Sequence, residues 1–362
     1  MKKLKRVALL VEGAKDIFQA KTASLLLRYR ADDIVLLVDS NHSSASPNIF
    51  AKSGVPVVKS IKDHVKKVDA FVICLVLPEG KVPKNWLSEI TLAIKNGVDV
   101  MNPLHINFGT LAPVVKALGG VDPSSTEAVT LFKGGKGAVY NIRVVPDDLE
   151  LFSLKVLDTK AKRVLTVGTD CNIGKMLTSL ELNKAALKHG LDSSFIATGQ
   201  IGIMVKGDGI AVDRVISDFL PGAVERLILK EQKRDILFVE GQGSIFQPIY
   251  SAVTLGLLHG TAPDAMILCH MPTRKKLRYT NIDIPDLKTA IRVHEELAGM
   301  INKSRVIGIS LNCHDLTNEQ AKKAIAEVEK LTGLPATDPV KFGVDKLFDA
   351  IKKEFLISDC DC

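Results

Sequence analysis

Gly168, Thr169, Asp170, Cys171, Asn172, Ile173, Gly174 and Lys175 form the segment of this chain whose residue types and spacing best suit chemistry. An apolar run from Val164 to Val167 enters it, and a helical pattern starting at Met176, Leu177 and Thr178 leaves it. Glycines let successive backbone N–H groups turn inward, the helix presents its positive N-terminal end, and the lysine adds a full charge. Together these make a phosphate cradle. The common P-loop has four residues between its glycines and a Ser or Thr after the lysine. Here five residues intervene, and Met176 stands where the magnesium-binding hydroxyl belongs, which leaves Thr178 or Thr169 to supply one.

The natural partner of such a loop is a carboxylate at the end of a nearby strand. The run from Asp235 to Glu240 is apolar inside and is followed by Gly241, Gln242, Gly243 and Ser244. Glu240 is placed to hold Mg²⁺ directly or through water. The glycines after it let backbone approach a transferring phosphate or a substrate. Gln200, after a strand ending at Thr198, joins the substrate group. Asp213 is a candidate second metal contact, although it could equally cap the helix beginning near Gly222. His259, Gly260 and Ala262 to Asp264 precede a strand that ends at Cys269 and His270, with Arg274 just beyond. His259 is assigned to substrate, and His270 and Arg274 leave the strand at the sheet end where ligands bind in open α/β sheets. A catalytic or anion-binding role follows for both, against a structural one for a lone His. Asn312 ends a further strand, and its amide matches the edge of an adenine, or simply makes a turn.

The elements that must position these groups alternate along the chain. Strands are expected at 6–11, 33–39, 55–58, 68–77 and 98–101, with helices at 16–30 and 86–96. Beyond a glycine-rich stretch at Gly134 to Gly137 and a strand at 139–145, strands follow at 163–168, 193–198, 235–240, 265–270 and 305–311. Helices are expected at 174–189, 222–233, 286–300, 317–331 and 343–354. Continuous Val/Ile/Leu runs imply strands covered on both faces of a parallel sheet. The fold class is therefore α/β, with two doubly wound parallel-sheet domains: Rossmann-like over 1–150 and P-loop-like over 151–362. The first domain has a poor dinucleotide fingerprint, since Glu12, Gly13, Ala14 and Lys15 follow its first strand. Asp39 ends the second strand, where a ribose-binding carboxylate or a helix cap would sit.

Composition narrows the function class. The chain has 362 residues, 46% hydrophobic and 25% charged, with a formal charge of +7. That balance suits anionic small molecules, and with 5% aromatics and no stacking motif nucleic acid is not expected. The N-terminal apolar run stops at Glu12 after about five residues, short of the ~7 to 15 of a signal peptide. No run approaches the ~18 apolar residues of a membrane helix. Scattered cysteines suit reduced thiols in a cytoplasm; Cys360 and Cys362 at the tail could bind metal or oxidise. A homo-oligomer is expected.

The loop from Gly168 to Lys175, with Val239, Glu240 and Gly241, resembles the P-loop domain of dethiobiotin synthetase and its relatives. The resemblance implies ATP and Mg²⁺ activating a carboxylated nitrogen, with a late-strand Asn at adenine. Over nearly the whole chain the sequence also resembles a bacterial and archaeal family of long-unknown function that pairs a Rossmann-like domain with such a P-loop domain. Gly168 to Cys171, Gly174 to Met176, Thr198 to Gln200 with Gly202, Ala211 to Asp213, Val239 to Ser244, His259, Gly260, Ala262 to Asp264, Cys269 and His270 carry it. Some members are described as D-glutamate N-acetyltransferases that use acetyl-CoA. Met176 fits that family, and a cradle without a magnesium hydroxyl suits the pyrophosphate or 3′-phosphate of coenzyme A. Three functions remain open. The first is acetyl transfer to an acidic amino acid, with Arg274 pairing its carboxylate and Glu240 or His270 as base. The second is an ATP·Mg-dependent ligase, with Lys175 stabilising the transferred phosphoryl group. The third is a non-enzymatic nucleotide-binding switch.

Overall fold

The computed structural model describes residues 5–16, 19–43, 49–75, 77, 81–119, 130–133 and 137–357. Gly134, Gly135 and Lys136 of the glycine-rich stretch, and Cys360 and Cys362, lie outside the described residues. The chain divides into two compact units: Met1–Asp148 with Ile203–Arg214, and Leu149–Gly202 with Val215–Cys362.

The first unit contains β1 (Val7–Leu10), α1 (Lys21–Tyr29), β2 (Ile34–Val38), β3 (Val57–Val58), β4 (Ala70–Ile73), α2 (Lys84–Lys95), β5 (Asp99–Asn102), α3 (Ala112–Ala117), β6 (Thr130–Lys133) and β7 (Ala138–Asn141). Its sheet runs β3-β2-β1-β4-β5-β7-β6. All pairs are parallel except β6 with β7, which are antiparallel at one edge.

The second unit carries β8 (Lys162–Gly168), α4 (Lys175–Lys188), β9 (Ser193–Ile196), α6 (Leu220–Lys230), β10 (Ile236–Val239), α7 (Ser251–Thr261) and β11 (Ala265–His270). It continues with α8 (Leu287–Gly299), β12 (Arg305–Leu311), α9 (Asn318–Thr332), β13 (Ala336–Thr337) and α10 (Asp345–Phe355). α5 (Gln200–Lys206) starts in this unit and runs into the segment grouped with the first. The sheet order is β13-β12-β11-β8-β10-β9, all parallel. The expectation of two parallel α/β sheets is met. Val164, Phe238 and Ile267 from three central strands pack with Leu182 of α4 and Leu347, Phe348 and Ile351 of α10 into one buried core. Burial on both faces requires continuous apolar strands, and it makes β8, β10 and β11 a rigid base for the loops at their C-terminal ends.

Three helices escape the sequence pattern: α3, α5 and α7. At the start of α5 glycines flank Gln200 and Ile201 on both sides, which hides its helical period. α7 contains Gly256 and Gly260, which lower helix propensity. A Cβ at Gly256 would lie 2.7 Å from Leu220 Cδ2, and one at Gly260 would lie 2.4 Å from the Pro221 carbonyl oxygen. The glycines are there because α6 passes that close. The N-terminal helix is shorter than the expected 16–30, spanning only Lys21–Tyr29.

Candidate functional site

β8 leaves the sheet at Gly168, which is level with Cys269 of β11, and Thr169 N–H still donates to the Cys269 carbonyl at 3.1 Å. The chain then turns through two left-handed residues, Asn172 at φ 54° and Gly174 at φ 112°. Gly174 tolerates that geometry because it has no Cβ. α4 starts at once, with no side-chain cap and no acidic residue in its first turn. α1, α2, α6, α7 and α10 likewise start without a side-chain cap, whereas α8 is capped by Asp286 and α9 by Thr317. An uncapped N-terminus leaves orphan N–H groups and a positive dipole end available to an anion.

Lys175 is buried, and its Nζ donates to the Asp170 carbonyl at 2.9 Å. Its stem runs past two glycines. A Cβ at Gly241 would meet Lys175 Cδ at 3.0 Å and the Thr166 carbonyl oxygen at 1.7 Å, and one at Gly168 would meet Nζ at 3.3 Å.

Register places the candidate carboxylate lower than the P-loop. Val239 of β10 lies opposite Leu165 of β8 and Ile196 of β9, so Glu240 leaves the sheet before β8 does. Gly241 N–H donates to Thr166 Oγ1 at 3.0 Å. Glu240 is buried, and its Oε2 accepts from Thr198 N–H at 3.0 Å and Gly199 N–H at 3.1 Å. Thr198 Oγ1 donates in turn to the Glu240 carbonyl. Gln242 Nε2 reaches Thr198 Oγ1 at 3.3 Å, and Ser244 Oγ donates to the Gly168 carbonyl at 2.8 Å. Gly243 sits at φ 63° in the same loop. Gln200 opens α5 immediately after this cluster. The structure therefore joins the loops after β8, β9 and β10 around Lys175 and Glu240.

On the other side, β11 ends at His270, whose Nδ1 lies 3.0 Å from Thr169 Oγ1. Burial pushes this imidazole down to about 4, helped by Lys275 and Arg274. It is neutral at pH 7 and able to accept a proton. Cys171 is the opposite case: burial and Asp170 push its thiol up, so it is not a thiolate nucleophile at neutral pH.

Arg274, expected to pair with a substrate carboxylate, donates its Nη1 to Asp170 Oδ2 and to the Cys171 carbonyl, both at 2.9 Å. Asp170 Oδ2 also accepts from Arg278 N–H at 2.8 Å, and Oδ1 accepts from Cys171 N–H at 2.7 Å. A buried carboxylate needs such partners, and here they lock the loop after β11 onto the P-loop.

Other expectations are corrected by direction. Thr178 does not offer a hydroxyl to a metal, because its Oγ1 is buried against Ser310 Oγ at 2.7 Å and the Gly174 carbonyl at 3.1 Å. Thr169 is held by His270. Met176 and Ile173 are buried, and Leu177 is half-buried. Asp213, the candidate second metal contact, belongs to the first unit and pairs with Arg143. His259 lies at the C-terminal end of α7, towards the start of β11, with its Nε2 3.2 Å from the Leu297 carbonyl. It joins α7 to α8 and is not with the substrate group. Asn312 follows β12, and its Oδ1 is engaged by His314 N–H at 3.3 Å. Among the described residues, no group of three or more His, Cys, Asp or Glu could hold a metal ion. Among the same residues, no helix is long and apolar enough to cross a membrane.

Arg278, Tyr279 and Gln247 were missed. Gln247 Nε2 donates to the Arg278 carbonyl at 2.6 Å. The available signal was the dense basic run Arg274, Lys275, Lys276 and Arg278 directly after a strand end.

Comparison with known proteins agrees with this architecture. Residues 150–348 match the family described as Domain of unknown function (DUF1611_C) P-loop domain, and residues 42–116 match Domain of unknown function (DUF1611_N) Rossmann-like domain. A protein named D-glutamate N-acetyltransferase from a Pseudoalteromonas species is 33% identical over 94% of this chain and 96% of its own. A second of the same name, from Tritonibacter scottomollicae, is 33% identical over 95% of this chain and 97% of its own. The crystal structure of a DUF1611 family protein from Anabaena variabilis is 35% identical, covers 96% of this chain and 99% of its own, and gives a TM-score of 0.86.

Proposed function

We propose, since this chain belongs to the DUF1611 family, that it transfers the acetyl group of acetyl-CoA to the amino group of an acidic amino acid, with D-glutamate the first candidate. The observation that carries the reading is the near-full-length likeness to two proteins named for that reaction. The site geometry supports it. The uncapped α4 N-terminus and Lys175 suit the pyrophosphate of coenzyme A. Bound acetyl-CoA supplies the activated thioester. His270, neutral and oriented through Nδ1 by Thr169, would take the amine proton at Nε2. Glu240, fixed by Thr198 and Gly199, would place negative charge near the incoming ammonium group. The incoming ammonium would release one proton to solvent, and the second would pass through His270 Nε2 to the departing sulfur, so that N–C bond formation is matched by C–S cleavage and a free thiol.

One observation favours a second reading, an ATP·Mg-dependent ligase: Glu240 is followed by Gly241, which packs on the Lys175 stem, as a metal-binding carboxylate beside a P-loop would be. Against it, the α4 hydroxyls of Thr178 and Ser179 both point into the sheet, Ser179 to the Val239 carbonyl at 3.2 Å. The test is release of free coenzyme A thiol when acetyl-CoA is mixed with D-glutamate, L-glutamate or D-aspartate. Thiol release that depends on D-glutamate is the expected result. ATP consumption with an acidic substrate, and no thiol release, would replace this reading with the ligase.

A further inference from the structure

The acetyl-transfer chemistry leaves the loop at 271–285 without a ligand role beyond its attachment to the P-loop. β8 lies between β10 and β11 in the sheet. Glu240, Thr198 and Gly199 therefore lie on one side of the phosphate cradle, and the 271–285 loop lies on the other. The first side is acidic and glycine-lined. The second is basic and aromatic.

The loop is built to hold one surface still. Leu277 is buried, its N–H donates to the Ile282 carbonyl at 2.8 Å, and Ile284 N–H donates to the Lys275 carbonyl at 2.9 Å. Arg278 is pinned at both backbone groups, N–H to Asp170 and carbonyl to Gln247. The next residue, Tyr279, is 69% exposed and sits at φ 65°. A bulky aromatic in the left-handed region is uncommon and unfavourable, and with most of its surface in water its ring contributes little packing to offset that. The Arg278 guanidinium carbon lies 4.9 Å from the Tyr279 ring centroid. Tyr250, whose phenol is pushed up first by burial and then by Cys171 and Tyr279, places a second aromatic within electrostatic reach of the same point.

We infer that Tyr279, with Arg278, is the seat for the adenine ring of the ligand whose phosphates occupy the P-loop. The inference rests on the phosphate-cradle reading and adds to it the recognition of a base. Aromatic rings and guanidinium planes stack on any base face without reading its edge. This fits a site where Asn312, the edge-reading candidate, already gives its acceptor to His314. Adenine is common to acetyl-CoA and ATP, so the seat serves whichever of them the cradle takes.

The test compares acetyl-CoA, ATP with Mg²⁺, and inorganic triphosphate by calorimetry on the wild type, Tyr279→Ala and Tyr279→Phe. The expected result is about tenfold weaker binding of the adenine-bearing ligand by Tyr279→Ala, unchanged triphosphate binding, and restoration by Tyr279→Phe. Equal weakening towards triphosphate would show a general loop role and overturn the seat. Unchanged binding of every probe by Tyr279→Ala would overturn it too, with the cradle intact. A wild type that binds none of the three overturns the cradle and the seat with it.

Discussion

After β1 in the first unit the chain runs through Glu12 and Gly13, and after β8 in the second it runs from Gly168 to Lys175; both loops leave a central strand of a parallel sheet at the end where ligands bind. In the first unit, carboxylates collect the protein's own donors. Glu12 accepts from Ser40 N–H at 2.9 Å, Asn41 Nδ2 at 3.1 Å and Asn85 Nδ2 at 3.0 Å. Asp39 at the end of β2 accepts from Gly13 N–H and Asn41 N–H, each at 3.0 Å. In the second unit the loop carries a lysine and opens an uncapped helix with no acid in its first turn. The sheet supplies the crevice in both, and the sign of charge at its mouth decides what can enter. Under the proposed function the anion site lies in the second unit, while the acids of the first are engaged by the protein's own donors.

The contrast can be broken in three places. His270→Ala should reduce the acetyl-transfer turnover by about 10²-fold or more, with the KM for acetyl-CoA little changed. Because burial holds the imidazole near 4, its protonation should not reduce the kcat of the bound complex between pH 8 and 6, and the loss that His270 causes should come only as pH drops towards that value. A fall centred at pH 6.5 would show His270 to be solvated and the assignment wrong. Gly202→Ala comes next. Its Cβ would lie 2.3 Å from Glu240 Oε2, so the carboxylate must move, at a cost of about 1–3 kcal/mol. Urea unfolding reads this directly, and an unchanged midpoint would mean that Glu240 is not fixed as described. Glu12→Ala should be mildest, losing about 1 kcal/mol of stability and leaving acetyl-CoA binding intact. Loss of binding in that variant would move the ligand site towards the first unit.

Much of this site was legible in the chain. A P-loop is local, so glycine spacing, the lysine and the helix onset all lie in one segment. Glu240 and His270 were readable because each ends an apolar strand. The direction of Thr178 was also within reach, since a helix turns about 200° between positions 176 and 178 and aims the latter away from where a metal hydroxyl belongs. Other features depend on residues far apart in the chain. Arg274 was free for a substrate until folding brought Asp170 beside it, 104 positions away. His259 was misplaced because the helix that carries it to the far sheet end, α7, was hidden by its glycines. The grouping of 203–214 with the first unit has no local signature, because it depends on packing partners such as Arg143 for Asp213 and Arg30 for the Met204 carbonyl.

The most direct test of the anion site is calorimetry of acetyl-CoA and of ATP with Mg²⁺ on the wild type and on Lys175→Ala. The account predicts that the wild type binds acetyl-CoA and that Lys175→Ala, folded to the same melting profile, loses that binding by at least tenfold. Equal affinity in the two proteins, for whichever ligand binds, would contradict it.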